Sequence, residues 1–176
     1  MTTYVDSSAL VAVYVPERFS RARQALRAAP QVPFTQLHEL EVSNAFELLV
    51  GRGLISREEC RAVRAQLQQD IDSQRLLRVS LDLDAVFTSA RELSRAYTAK
   101  SLARSLDVLH VAAAHVAVCT TFVAADNRQL TVAKATASTR STSNVACGVG
   151  NPDRSAPLEA ERLAGVEPPS LVRGSG

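Results

Sequence analysis

The chain lacks the short patterns that usually declare an enzyme's chemistry. It contains no Gly-rich phosphate loop, which removes the P-loop and dinucleotide-binding readings. Ser7 and Ser8 are not set in a G-x-S-x-G turn, so a serine nucleophile has little support. The three cysteines, Cys60, Cys119 and Cys147, are odd in number, widely spaced and without a C-x-x-C pair. They read as reduced thiols in a cytoplasmic protein, not as a disulfide frame or zinc site. No apolar run approaches the roughly 18 residues of a membrane span, and no secretory leader pattern opens the chain. A soluble, non-exported protein is the expectation. Lysine is scarce: only Lys100 and Lys134 occur, and every other cationic side chain is arginine. Arginine suits bidentate phosphate contacts, although genome composition produces the same bias. A formal net charge of +2 does not by itself imply nucleic acid.

What is present is one good core's worth of apolar residues, 46% of 176 positions, too few for two ordinary domains. Short apolar runs at Thr3–Val5, Val32–Phe34, Leu76–Val79 and Thr120–Val123 read as strands. Helical patterns lie between them: one from Ser7 to Pro16, one from Arg18 to Ala29, and one from Thr35 or Gln36 to about Val50. Gly51 and Gly53 supply the exit of the third. Ser56-Arg57-Glu58-Glu59 has the form of a capping box and opens a helix carrying Val63, Leu67 and Ile71. A long helix is predicted from Leu83 to Thr98. Asp107 to Val116 is apolar on nearly every side, the mark of a buried central helix. A last helix is predicted over Asn127–Ala135. Strands alternating with helices point to an α/β fold in three layers, with a parallel sheet of four or five strands. The division is 1–135 for this domain and 136–176 for a Ser/Thr/Pro-rich, loosely ordered tail, with Val145–Val149 a candidate edge strand.

Four carboxylates interrupt this pattern. Asp6 and Asp126 each end a strand and begin a helix, where α/β sheets commonly place ligands, and where Asp also serves as an N-cap. Asp107 reads either as a ligand or as compensation of a helix dipole. Glu41 is harder to explain as structure, because Leu37, Ala45 and Leu48 place it on an apolar face. A buried carboxylate needs a cation, a partner or a proton, since leaving it unpaired costs several kcal/mol. Hard divalent cations prefer such oxygens. Asn44, one turn on, is placed to support Glu41. His38, His110 and His115 do not form a metal-binding spacing and read as core or surface imidazoles.

With these residues identified, the chain resembles the PIN-domain ribonucleases of the VapC toxin type. Tyr4-Val5-Asp6-Ser7-Ser8-Ala9-Leu10-Val11 resembles the first family motif, and Glu41-Val42-Ser43-Asn44-Ala45-Phe46 the second. Arg104-Ser105-Leu106-Asp107-Val108-Leu109-His110-Val111-Ala112 resembles the third. Phe122-Val123-Ala124-Ala125-Asp126-Asn127-Arg128-Gln129-Leu130 resembles the fourth, with Ala124 where the family often has Thr or Ser. The resemblance implies an endoribonuclease in which Asp6, Glu41, Asp107 and Asp126 hold one or two Mg2+ or Mn2+ ions. It implies Ser7 and Asn44 as orienting residues, Arg104 as an RNA contact, a homodimer, and a VapB-like antitoxin. A tRNA or rRNA loop is the substrate it suggests. One other reading is open. A catalytically silent PIN fold would bind RNA or a partner without cutting. A phosphatase of the haloacid-dehalogenase kind would need a D-x-D, and residue 8 is serine.

Overall fold

The computed structural model describes residues 3–15, 31–139 and 146–148. The helix expected over Arg18–Ala29 and most of the tail lie outside them. Five short strands are present: β1 (Thr3–Val5), β2 (Val32–Thr35), β3 (Leu76–Val79), β4 (Thr121–Val123) and β5 (Ala146–Gly148). All pairs are parallel, in two ladders ordered β1-β4-β5 and β2-β3. β2 lies beside β1. Between them His38 donates from Nε2 to the Val5 carbonyl at 2.8 Å, so a side chain links the two ladders. One parallel sheet of four or five strands was expected; among the described residues the strands fall instead into a three-stranded and a two-stranded part.

The helices are α1 (Ser7–Tyr14), α2 (Gln36–Gly51), α3 (Arg57–Asp72), α4 (Leu83–Leu93), the short α5 (Ala99–Ser101), α6 (Ser105–Val116) and α7 (Asn127–Thr139). α3 begins at the expected capping box. Ser56 Oγ accepts from the Glu59 amide at 3.1 Å, and Glu59 accepts from the Ser56 amide at 2.7 Å. α2 ends as Gly53 turns to φ +66°, which lets the amides of Gly53 and Leu54 reach back to the Val50 and Leu49 carbonyls. Two boundaries differ from expectation. Ser94–Thr98 is a π-helical turn and not a continuation of α4. This wider turn separates buried Leu93 from Tyr97, which packs on the same core. α7 runs past residue 135 to Thr139, into the segment assigned to the tail.

The core has two parts, one on each side of the sheet. One gathers α4, α6 and α7 around Tyr4, Phe122 and Val111. The other gathers α1, α2 and α3 around Val5, Val42 and Phe46. α6 is the predicted central helix: every residue from Val108 to Ala114 is buried. Alternation in β1 sends Tyr4 into the first core and Val5 into the second. Tyr4 also lies opposite Phe122 in the ladder, its ring parallel within 5° at 5.7 Å. Among the described residues, no helix is long and apolar enough to cross a membrane.

Candidate active site

Where β1 ends, the Asp6 amide donates to the Val123 carbonyl of β4 at 2.8 Å. That last bond fixes Asp6 at the carboxyl edge of the sheet, as the first residue outside it. It is also the N-cap of α1, accepting from the Ser8 amide at 3.0 Å and from the Ser8 hydroxyl. The N-cap reading of Asp6 therefore holds, and the same placement leaves its carboxyl at the end of the strand. Only 5% exposed, its carboxyl is pushed up by burial, an effect that His110 and Ser8 only partly offset and that Glu41 reinforces.

Glu41 projects from α2 at the edge of the buried stripe. That stripe is His38, Val42 and Phe46. The expected face of Leu37, Ala45 and Leu48 is not the buried one, since Leu48 is 47% exposed. Glu41 itself is partly open to solvent. The ring of His110 meets its carboxylate, and the Ser7 hydroxyl bonds to it as well. Burial opposes the charge, but these two bonds and the nearby imidazoles outweigh it and hold the carboxyl below the usual range. Asn44 is exposed and makes no hydrogen bond to Glu41. Ser7, buried at the start of α1, does.

Asp107 stands in the first turn of α6. Its Oδ2 accepts the Arg104 amide at 2.8 Å, closing the turn before the helix. Arg104 is exposed beside it. Asp126 opens α7 and accepts the Arg128 amide at 2.8 Å, and the Arg128 guanidinium returns to the same carboxylate. Gln129 ties the two elements together by donating to the Asp107 carbonyl at 3.2 Å.

The acids thus form two subsets. Asp6 and Glu41 repel one another across the start of α1, with His110 and Ser7 between them. Asp107 and Asp126 share the field of Arg128. Among the described residues, no three His, Cys, Asp or Glu side chains converge as a metal-holding group. The chemistry of the donors still fits a hard cation at the first subset, where a desolvated Asp6 faces a second ionised carboxylate.

His110, read from the sequence as a core or surface imidazole, is in the core, and its contact with Glu41 is what sequence reasoning missed. It is buried among Tyr4, Ser7 and Glu41. The available signal was its position three residues after Asp107, which puts both on one face of α6. His38 is a core imidazole as expected, and burial lowers its pKa to about 3.

Comparison with known proteins places this geometry in context. No family model matches the chain, and no curated protein matches it. Solved structures do. One is FitAcB from Neisseria gonorrhoeae, with a TM-score of 0.56 and 16% identity over 75% of this chain and 93% of that one. Another is Mycobacterium tuberculosis VapC20, a sarcin-ricin loop cleaving toxin, with a TM-score of 0.52 and 17% identity over 72% of this chain and 92% of that one. Likeness at such low identity reports the fold, and the fold of this chain is that of the VapC-type PIN-domain toxins.

Proposed function

We propose that the protein is a metal-dependent endoribonuclease and the toxin of a toxin–antitoxin pair. The observation that carries this reading is the Asp6–Glu41 pair at the carboxyl edge of β1, on a fold shared with a toxin that cleaves an rRNA loop. Asp6 and Glu41, completed by Asp107 and Asp126, would hold Mg2+ or Mn2+, which when bound lowers the pKa of water and neutralises charge at the scissile phosphate. Asp6 and Glu41 set the negative potential that recruits the cation. Ser7 and His110 hold Glu41 ionised and in place. Arg104 is exposed at the start of α6, where it can meet the RNA backbone. In the reaction the oxygen of water bonds to phosphorus and the bond to the 3′-oxygen breaks. The products are a 5′-phosphate and a 3′-hydroxyl. Single-stranded loops are the substrate class, because their backbone is accessible. A homodimer and a VapB-like antitoxin covering the cleft complete the proposal.

Purified protein should cut RNA with Mg2+ or Mn2+, and Asp6→Ala or Asp107→Asn should abolish cutting. One observation favours a second reading, a silent module that binds RNA or a partner. Asp126 is paired with Arg128 and Asp107 is engaged by the Arg104 amide. Wild-type protein that binds RNA tightly but leaves it intact with either metal would establish that reading instead.

A further inference from the structure

We propose that His110 is a positioning residue for Glu41, its ring oriented and its tautomer selected by the hydroxyl of Tyr4. The proposal rests on the nuclease reading and deepens it.

The ring of His110 is almost fully enclosed, with 3% of its side chain exposed. Its Nδ1 lies 2.8 Å from the Tyr4 hydroxyl. Its Nε2 meets the Glu41 carboxylate and lies 3.1 Å from Ser7 Oγ. A neutral imidazole carries one N–H, so the question is which nitrogen bears it. With Nδ1–H, the ring would donate to Tyr4 and turn a bare Nε2 lone pair toward an ionised carboxylate. With Nε2–H, the ring donates to Glu41 while Nδ1 accepts the phenolic proton.

The neighbouring ring, with its centroid 5.2 Å from that of His110, is fixed in the same way by its own partners. His38 Nε2 faces the Val5 carbonyl, which can only accept, and its Nδ1 receives the Thr35 amide at 3.0 Å, which can only donate. His38 is therefore the Nε2–H tautomer. The Thr35 hydroxyl, 3.0 Å from the same Nδ1, can only donate to it as well. On the His110 side, two bonds then run in one sense, from Tyr4 to His110 to Glu41. They join β1, α6 and α2. A core histidine with no role toward the site would not need its second nitrogen aimed at a partly exposed carboxylate.

The test uses the full-length protein with Mn2+ as probe. Titration by calorimetry gives the metal affinity, and cleavage of a loop RNA gives kcat and KM separately. His110→Leu fills the volume but offers no donor, whereas the amide of His110→Gln reaches the position of Nε2 and that of His110→Asn does not. The Leu variant should loosen Mn2+ by about 10–100-fold and lower kcat more than it raises KM. The Gln variant should recover most of that loss and the Asn variant little. Nitrogen NMR of wild-type His110 should show a protonated Nε2 and a bare Nδ1, and this readout stands even if the Leu variant fails to fold. Wild-type binding and turnover in folded His110→Leu, or the opposite tautomer, would overturn the proposal while leaving the nuclease intact. A wild-type protein that neither binds Mn2+ nor cuts RNA would overturn both.

Discussion

Arg128 folds back on Asp126, two residues earlier, its Nη2 3.2 Å from Oδ2 while its own amide holds Oδ1 at 2.8 Å. One residue thus caps the helix through the acid and pairs with the acid's charge. Arg128→Gln keeps the amide bond and removes the ion pair. It should tighten Mn2+ binding by a few-fold, because Asp126 regains its full charge, and weaken RNA binding. Calorimetry with Mn2+ and filter binding with RNA separate the two effects. Unchanged Mn2+ affinity would mean that Asp126 is not a ligand.

Asp6 is the site at which function and stability are expected to conflict. Its burial disfavours the charge that the proposed metal requires. Asp6→Asn keeps the oxygen that accepts the Ser8 amide and removes that charge. We expect a gain of about 1 kcal/mol and a midpoint higher by about 2–4 °C in thermal unfolding, with cleavage lost. Saturating Mn2+ should raise the wild-type midpoint and leave the variant's unmoved. A destabilised variant would show that the Asp6 carboxylate is already compensated in the fold.

His38 makes stability depend on pH in a definite direction. Burial lowers its pKa from 6.5 to about 3 in the folded protein. Between those values the unfolded chain binds a proton that the native state refuses, so stability falls as pH drops below 6.5 and levels off below about 3. The slope from this group is at most about 1.4 kcal/mol per pH unit. Asp6 acts oppositely, because its raised pKa makes its burial less costly in acid. Urea midpoints at pH 7 and 5 should fall more steeply for wild type than for His38→Gln. Equal slopes would assign the acid sensitivity to other groups.

Small residues at the centre of α6 set how closely its neighbours approach. Ala112 and Ala113 are fully buried. Ala112→Leu should overpack this contact and cost about 1–3 kcal/mol in denaturant midpoint. Leu106→Ala, at an exposed position of the same helix, should change stability by less than about 0.5 kcal/mol.

Much of the fold was legible because local signals agreed with tertiary burial. The all-apolar run of α6 gave its central place, and Ser56 with Glu59 gave the start of α3 to the residue. The π-turn at Ser94–Thr98 was not legible, since one added residue in a turn carries no composition signal of its own. On α2 the apolar stripe misled, because His38 reads as polar until Val5 and Thr35 satisfy both its nitrogens. The same limitation hid His110: its partners Tyr4 and Glu41 are 106 and 69 positions away in sequence. Asp6, Asp107 and Asp126 were readable as strand-end or helix-start residues, and Glu41 as an acid on an apolar helix face. Their division into two subsets depends on Arg128 and Ser7, whose roles only the packing discloses.

β1 is three residues long, yet it supplies a wall of each core through Tyr4 and Val5 and delivers Asp6 at its end. No partial opening can release this strand without wetting both sides of the sheet at once. Binding competence and global folding should therefore disappear as one cooperative event. In a denaturant series, the last Mn2+ affinity should vanish together with the slowest-exchanging amides of the sheet, with no inactive but folded species populated before it.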